Sequence, residues 1–284
     1  MKKFTLLCLF FCGAAQALTI TDDRGVTVTF AQTPQRIVSM LPSLTESVCA
    51  MEQCQRLVGV DRYSNYPDSL KKLPKLGGGL DPNIEGIVAL KPDVVLVAGK
   101  SRASDHLESL GIKVVALETK THADVKRVLS VLGVLLGVPP AQGVERLWRV
   151  IDSGMSSAAQ SIPTKAKSAL VYFEVGRGPY AAGEASFIGE TLTRLGAKNI
   201  VPARLGPFPS LNPEYVVRAN PDVIMMGSAS TVYAVAYPGW TRIKAVRNQR
   251  VCVFSNEDSD LVMRPGPRMA EAARVMAKCL GKHE

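Results

Sequence analysis

An internal repeat of fifteen residues stands out in this sequence: Asn83-Ile-Glu-Gly-Ile-Val-Ala-Leu-Lys-Pro-Asp-Val-Val-Leu-Val97 and Asn212-Pro-Glu-Tyr-Val-Val-Arg-Ala-Asn-Pro-Asp-Val-Ile-Met-Met226. The copies lie 129 residues apart and share Asn, Glu, Val, Pro, Asp and Val in register. A capping Asn, a Pro that ends the helix and an apolar run after it predict a helix–turn–strand unit. Such a unit can arise by chance, but a Glu at the same helical position in both copies favours two similar lobes.

Short β-rich runs alternate with helical segments on both sides of each copy. Strands are predicted at 36–40, 57–60, 93–98, 113–117, 169–173, 222–226 and 250–254, and helices at 43–51, 83–90, 102–109, 188–195, 212–219 and 267–280. Nearly continuous Val, Ile and Leu strands between helices indicate parallel sheets covered on both faces. The predicted fold class is therefore α/β.

The alternation stops in the middle of the chain, where two helices are predicted without a strand between them. They cover 121–137 and 141–161, with Pro139-Pro140 between them. In the second helix, apolar residues recur at helical spacing: Val144, Leu147, Trp148, Ile151 and Met155. We expect this helix to join the lobes. The predicted divisions are an N-terminal lobe at 18–121, a helical segment at 122–165 and a C-terminal lobe at 166–284.

The first seventeen residues have the pattern of a signal peptide. Lys2 and Lys3 precede an apolar run at 4–11, and Ala15-Gln16-Ala17 is a small-residue cleavage signal. A membrane span needs roughly 20 apolar residues, so this run is too short. The residue before Cys12 is the bulky Phe11 rather than a small residue, which favours cleavage after Ala17 over lipidation. The sequence thus predicts export to the periplasm.

Composition and charge indicate a globular protein. The chain is 46% apolar and 21% charged, and its net charge is +9, or +7 after removal of Lys2 and Lys3. A basic balance is compatible with an anionic partner, but the basic residues are dispersed and form no run of five or six. A solvated surface explains this pattern, and no nucleic-acid partner is predicted.

Four cysteines remain after the signal peptide: Cys49, Cys54, Cys252 and Cys279. An even number in an oxidising compartment favours disulfides, and four cysteines allow three connectivities. Cys49–Cys54 is favoured because a helix end and the following turn bring such residues close. Cys252 in a strand and Cys279 in the last helix can then attach helix to sheet. A metal cluster is the alternative, but the sequence contains no Cys-x-x-Cys.

Motifs of catalysis are missing from the sequence. It contains no Walker loop, no Gly-x-Ser-x-Gly and no His-Glu-x-x-His. The three histidines, His106, His122 and His283, are predicted on helix surfaces and the C-terminal tail. A bare transition-metal site would need clustered histidines and carboxylates, so no protein-held metal is predicted.

The candidate ligand contacts lie in loops at the carboxyl ends of strands, where open α/β sheets bind ligands. Tyr63, Tyr180 and Phe208 are aromatic residues suited to a flat macrocycle, although each can equally be a packed ring. Arg177 and Arg264 can pair with a ligand carboxylate or with a neighbouring acid.

Several of these segments resemble one known family. Arg36-Ile-Val-Ser, Pro42-Ser-Leu-Thr-Glu46, Leu57-Val-Gly-Val60, Tyr63-Ser-Asn-Tyr-Pro67 and Gly206-Pro-Phe-Pro, together with both repeat copies, resemble the periplasmic binding proteins for cobalamin, siderophores and haem. The similarity runs from about residue 37 to residue 280. It implies two Rossmann-like lobes joined by a single long backbone helix, with the ligand between them and little hinge motion. It also implies delivery to an ABC permease dimer with its ATPase.

The resemblance is greatest to the cobalamin-binding members. It implies ligand contacts at Tyr63, Tyr180 and Phe208, and places Glu174 where those members have another aromatic contact. Tryptophans of those members are replaced by the Gly77–Gly79 run and by Ala98–Gly99. Haem-binding members often carry an axial Tyr near position 79, where this chain has Gly-Gly-Leu. The expected ligands are therefore a corrinoid, then a ferric siderophore, then haem.

The resemblance also implies how the protein meets its partner. Glu85 and Glu214 match the glutamates, one per lobe, with which family members engage permease arginines. A monomer without a covalent cofactor or catalytic activity is expected. A different class, an α/β hydrolytic enzyme or an extracytoplasmic sensor, stays open. An enzyme would have to use Glu174, Asp258 or Asp260 without a partner histidine.

Overall fold

The computed structural model describes residues 17–176, 179–227 and 237–281. The predicted signal peptide, except for its last residue, and Arg177 therefore lie outside the described residues. The rest of the chain forms two α/β lobes, which confirms the predicted fold class.

The N-terminal lobe contains a β-hairpin and a four-stranded sheet. Its elements are β1 (Leu18–Thr21), β2 (Thr27–Phe30), β3 (Ile37–Ser39), α1 (Pro42–Ala50), β4 (Leu57–Val60), α2 (Ile84–Ala89), β5 (Val94–Val97), α3 (Arg102–Ser109) and β6 (Val114–Ala116). The hairpin β1–β2 is antiparallel, and the sheet has the order β4-β3-β5-β6 with every pair parallel. Parallel strands with helical crossovers bring all four carboxyl ends to one edge of the sheet.

The C-terminal lobe also contains a sheet of parallel strands alternating with helices, and this sheet has one additional, antiparallel strand. Its elements are β7 (Leu170–Gly176), β8 (Tyr180–Ala181), α6 (Phe187–Arg194), β9 (Lys198–Asn199), α7 (Pro213–Ala219), β10 (Val223–Gly227), α8 (Lys244–Arg247), β11 (Val251–Phe254), α9 (Asn256–Met263) and α10 (Met269–Gly281). The sheet order is β11-β10-β7-β8, and β9 also pairs with β7. Strand β8 is antiparallel to β7, whereas the other pairs are parallel.

Both copies of the repeat form the predicted helix–strand unit, as α2–β5 and α7–β10. The Asn83 side chain accepts the Gly86 N–H at 2.8 Å, and the Asn212 side chain accepts the Glu214 N–H at 2.9 Å. Each cap satisfies a donor that the helix start leaves unpaired. The following strands, β5 and β10, each pair with two neighbours.

The segment between the lobes contains two helices, α4 (His122–Leu136) and α5 (Val144–Gln160). With 17 residues, α5 is about 25 Å long. It contacts α1 of the N-terminal lobe through Arg146, whose guanidinium donates to the Ala50 carbonyl at 2.7 Å. It packs closely on α10 of the C-terminal lobe, because a Cβ at Gly154 would lie 2.6 Å from the Ala270 Cβ.

One continuous hydrophobic core runs through both lobes. It joins one face of each sheet to the apolar sides of α4, α5 and α10, while smaller clusters cover the opposite face of each sheet. Lobes that share a core of this kind move as one body more readily than lobes joined by a linker. Among the described helices, none combines the length and the apolar character needed to cross a membrane.

Both favoured disulfides are present. Cys49–Cys54 closes the turn after α1, with a sequence separation of 5 residues. Cys252–Cys279 joins β11 to α10 with a separation of 27 residues.

His122 departs from its predicted solvated position. Its side chain is only 16% exposed, and its Nε2 lies 3.0 Å from the Phe187 carbonyl oxygen and 2.9 Å from the Thr191 hydroxyl. The reason is tertiary, because the N-terminus of α4 lies against α6 of the other lobe. Burial lowers the pKa of His122, and the nearby Glu190 carboxylate opposes this effect.

Candidate ligand-binding site

A cavity of about 530 Å³ lies between the lobes at the carboxyl edge of the N-terminal sheet. Its walls are 41–43 after β3, Tyr63 after β4, Ala98 after β5, 117–120 after β6, and Asp260 with 263–265 from the C-terminal lobe. Each strand of the N-terminal sheet therefore contributes a residue that follows its last paired position. The cavity thus lies where open α/β sheets bind ligands.

A second cavity of about 440 Å³ lies beside it in the N-terminal lobe. The two cavities share Leu41, Pro42, Tyr63, Ala98 and Glu118 in their walls. Because they share these wall residues, the two cavities are compartments of one cleft. The small residue Ala98, just after β5, lies in the wall of both.

Tyr63 is the predicted aromatic contact that lies in this cleft. Tyr63 is 60% exposed, while both its backbone N–H and its carbonyl are hydrogen-bonded. The Tyr63 N–H donates to Asp61 Oδ1 at 2.7 Å, and its carbonyl accepts from Arg264 Nη2 at 3.0 Å. Burial raises the pKa of Asp61, although the hydrogen bonds from Ser64 and Tyr63 oppose the rise. An exposed ring on a fixed backbone is suited to contact a ligand face.

Arg264 lines the cavity but uses its guanidinium to tie the lobes together. It donates to Glu46 Oε1 and Asn65 Oδ1, both at 2.8 Å, and lies 2.9 Å from Asp260 Oδ2. In the structure, Arg264 thus pairs with two neighbouring acids. Glu46 belongs to α1 and Arg264 follows α9, so this pair crosses between the lobes.

Tyr180 and Phe208 lie together on one side of the C-terminal lobe. The Ala181 N–H donates to the Pro209 carbonyl at 3.0 Å, and Tyr180 forms a β-bridge with Ser210. Both rings are partly exposed, and Phe208 packs on Phe187 with ring centroids 6.0 Å apart. As far as the described residues go, Tyr63 lines the two cavities and these two rings do not.

Glu174 is not on the surface of the cleft, contrary to the prediction. Its side chain is 0% exposed and accepts a hydrogen bond from the Tyr172 hydroxyl at 3.1 Å. Strand β7 continues to Gly176 because β8 pairs with it at Glu174 and Gly176. Glu174 is therefore inside a paired strand rather than in the loop after it. Burial and the neighbouring Glu174 raise the pKa of Tyr172.

Glu118, Lys120 and Leu80 belong to the cleft and were missed from the sequence. Glu118 and Lys120 follow β6 directly, so the rule that selected Tyr63 could have selected them. Leu80 is fully exposed at the edge of the second cavity, in the Gly-Gly-Leu segment. Its signal is weak because a single Leu in a glycine-rich turn has no periodicity to support it.

A bare transition-metal ion needs several His, Cys, Asp or Glu side chains close together. Within residues 17–176, 179–227 and 237–281, no three His, Cys, Asp or Glu side chains are grouped to hold one.

Glu85 and Glu214 are exposed in the first turns of α2 and α7. Among the described residues, neither carboxylate forms an ion pair. The two positions are equivalent in the two lobes, since each lies two residues after its capping Asn.

Comparisons with known proteins agree with this geometry. A family model described as "Periplasmic binding protein" matches residues 37–257. An uncharacterised ABC transporter substrate-binding lipoprotein of Bacillus subtilis is 31% identical over 278 residues, covering 93% of this chain and 85% of the relative. A vitamin B12-binding protein of Pectobacterium atrosepticum is 27% identical, covering 98% of this chain and 96% of the relative.

Among solved structures, a possible iron-binding, periplasmic solute-binding protein of Staphylococcus epidermidis superposes with a TM-score of 0.76. It is 28% identical, and the match covers 88% of this chain and all of that one. The family match spans both lobes and the helices between them, and the B. subtilis relative matches nearly end to end. On this evidence of sequence and architecture together, the chain belongs to the periplasmic binding protein family.

Proposed function

We propose that this protein is the substrate-binding component of an ABC importer and that it captures a metal chelate, with a corrinoid as the first candidate. The observation that carries the proposal is the interlobe cavity of about 530 Å³ with the exposed Tyr63 ring in its wall. An apolar cleft with an aromatic wall suits a flat macrocycle. The vitamin B12-binding relative, matched over 98% of this chain, supports the same ligand class.

The remaining roles are proposed from the sequence patterns and from membership of the family. Residues 1–17 direct export to the periplasm, where the protein acts as a monomer without a covalent cofactor. The lobes comprise 18–121 and 166–284, joined through 122–165. Tyr63, Tyr180 and Phe208 contact the ligand, while Glu85 and Glu214 dock onto a two-fold symmetric permease with its ATPase.

Ligand titration tests the ligand class. Protein purified from the periplasmic fraction is titrated by calorimetry with cyanocobalamin, a ferric hydroxamate siderophore and haemin. We expect one-to-one binding of cyanocobalamin that is tighter than binding of the other two. Absence of corrinoid binding, together with tight binding of another chelate, would replace the corrinoid with that ligand and keep the importer role. Binding of none of the three would refute the metal-chelate proposal.

A ferric siderophore is the second candidate, and haem is the third. The iron-binding description of the Staphylococcus epidermidis protein, which is 28% identical, favours the second. The binding role is proposed over an enzymatic one because Asp260 is engaged with Arg264 and Glu174 is buried. An extracytoplasmic sensor would bind ligand equally well but would leave uptake unchanged when its gene is deleted, which separates that class from an importer.

A further inference from the structure

Glu118 and Lys120 form an ion pair in the wall of the cleft. Lys120 Nζ lies 2.6 Å from Glu118 Oε2, and the two side chains remain 59% and 42% exposed. Glu118 lines both cavities and Lys120 lines the interlobe one. The pair therefore stands at the boundary between the two compartments.

The backbone that carries this pair is fixed on three sides. The Glu118 N–H donates to Asp23 Oδ2 at 2.6 Å, and the Glu118 carbonyl accepts from Arg127 Nη2 at 2.9 Å. The Lys120 carbonyl accepts the Phe187 N–H of the other lobe at 2.6 Å. The two side chains thus extend from a backbone segment that is held in place by hydrogen bonds, which favours defined contacts with a ligand.

Gly99 provides the space in which the Glu118 carboxylate lies. A Cβ at position 99 would be 2.6 Å from Glu118 Oε1, a distance that would force the carboxylate to move. Because Gly99 has no side chain, the Glu118 carboxylate can lie against the backbone that follows β5. This contact also provides a second way to displace the carboxylate without changing its charge.

Two other cations in or beside the cleft, Arg264 and Arg62, are paired with acids. Arg264 is bound to Glu46 and Asp260, and Arg62 is paired with Asp81. Lys100 is an exposed cation in the wall of the second cavity. Glu118 and Lys120 hold each other, and because an exposed ion pair contributes little to stability, a ligand can separate them at low cost.

We propose that Glu118 and Lys120 select chelates whose periphery carries neutral amide groups over chelates that carry carboxylates. An amide offers an N–H donor to the Glu118 carboxylate and a carbonyl acceptor to the Lys120 ammonium, so both hydrogen bonds are charge-assisted. A carboxylate at the same place pairs with Lys120 but is repelled by Glu118. This inference rests on the proposed function, namely that the cleft holds a metal chelate.

The test compares two ligands that differ in this group alone. Cyanocobalamin and its monocarboxylate derivatives, made by hydrolysis of one peripheral amide, are titrated into wild-type protein and Glu118→Gln, Lys120→Met and Gly99→Ala variants. Glu145→Gln and Lys165→Met serve as controls, because both residues are exposed outside the cleft. Thermal unfolding of each apoprotein checks that the variants are folded.

We expect the wild type to prefer the intact amide ligand, and Glu118→Gln to reduce this preference by about tenfold, the size of one charge-assisted hydrogen bond. Gly99→Ala should reduce it in the same direction, and Lys120→Met should weaken both ligands. The controls should change neither affinity nor preference. An unchanged preference in Glu118→Gln, or equal changes for both ligands, would overturn the proposal.

Failure of the corrinoid assignment is distinguishable from failure of this inference. If cyanocobalamin does not bind, the comparison is made between a neutral ferric hydroxamate chelate and ferric citrate. The inference then holds if the neutral chelate binds more tightly and Glu118→Gln reduces that preference. Tighter binding of ferric citrate or haemin by the wild type, or binding of no chelate, overturns it.

Discussion

Asp93 and Asp222 perform the same structural task in the two lobes. Asp93 Oδ2 accepts the backbone N–H groups of Gln35 and Arg36, both at 2.8 Å, and Asp222 Oδ2 accepts that of Leu170 at 2.9 Å. Each Asp precedes a central strand, and its donors lie just before or at the first residue of a strand that pairs with it. In each lobe, the repeated Asp therefore holds the start of its strand against the start of a neighbouring strand.

Replacing Asp222 with Asn should destabilise the protein in a pH-dependent manner. Burial alone would raise the pKa of Asp222, but hydrogen bonds from the Leu170 N–H and the Lys244 ammonium lower it below its usual value of 3.8. A lowered folded pKa stabilises the fold above the unfolded pKa, and this contribution is lost as the pH falls through the folded value. We expect the free energy of unfolding to drop by about 1–2 kcal/mol at neutral pH. Urea titrations at pH 7 and pH ~3 measure this loss, which should be smaller at the lower pH because that pH lies below the usual Asp pKa of 3.8.

The exposed Asp105→Asn variant is the control for this measurement. A loss of equal size at both pH values would show that geometry rather than charge is responsible.

Replacing Arg264 with Met should strongly destabilise the protein. Burial raises the pKa of Glu46, and the hydrogen bond from Arg264 opposes this rise. Without Arg264, a carboxylate with 4% exposure loses its cation, which costs about 3–5 kcal/mol in comparable cases. The double variant Arg264→Met with Glu46→Gln should recover most of this loss, and a double-mutant cycle in urea measures it.

The pH dependence of Arg264→Met follows from the same pair. Because the folded pKa of Glu46 is raised, its charged form is unfavourable above the unfolded pKa, and this penalty is relieved as the pH falls through the folded value. The single variant should therefore regain part of its stability on mild acidification. If the double variant is as unstable as the single one, the lost contacts to Asn65 and the Tyr63 carbonyl dominate instead.

Removing Cys252–Cys279 should cost more stability than removing Cys49–Cys54. The loops that they close span 27 and 5 residues, so chain entropy predicts a difference of about 1.5 kcal/mol. Paired Cys→Ser variants are compared by urea unfolding, and alkylation with intact-mass analysis verifies the remaining disulfide. An equal or inverted order would show that packing around Cys49, rather than loop length, decides the contribution.

Replacing Phe208 with Ala should weaken ligand binding if the C-terminal aromatics reach the ligand. Phe208 is 37% exposed, and if its ring is buried against a macrocycle, its removal should cost about 1–3 kcal/mol of binding free energy. Calorimetry on Phe208→Ala and Tyr180→Ala measures the loss, with Val150→Ala on the exposed side of α5 as the control. Unchanged affinity in both aromatic variants would confine the ligand to the cavity side that carries Tyr63.

Changing Glu85 and Glu214 together to Ala should abolish uptake while leaving ligand affinity intact. Both carboxylates are exposed at equivalent positions, so two similar lobes can offer the same charge to a symmetric permease. Reversal to Lys should be worse, because like charges would then meet at the interface. Ligand titration of the purified double variant is compared with uptake in cells that carry the importer. Normal uptake, or loss of ligand binding together with uptake, would contradict the docking role.

Local patterns in the sequence were sufficient to predict most of the elements. Helix α3 was predicted at 102–109 and is observed as Arg102–Ser109. The repeated helix–strand unit was predicted from its capping Asn and terminating Pro, because these signals act within a few residues. Tyr63 was selected for a similar reason, since a residue that follows a parallel strand lies at the ligand-binding edge of the sheet.

Tertiary pairing decided what the local patterns could not. The sequence predicts Glu174 in the loop after a strand, but β8 pairs with β7 there, and Glu174 is buried inside the extended strand. The sequence predicts His122 on a solvated helix surface, but residues of α6 in the C-terminal lobe cover it. The sequence allows Arg264 to pair either with a ligand carboxylate or with a neighbouring acid. In the folded chain, α1 lies close enough to the end of α9 for Glu46 to be that acid. The sequence by itself determined the strands, the helices and the duplication, because hydrophobic periodicity and capping are local. Which side chains face the cleft depends on contacts between the lobes, and those exist only in the folded chain.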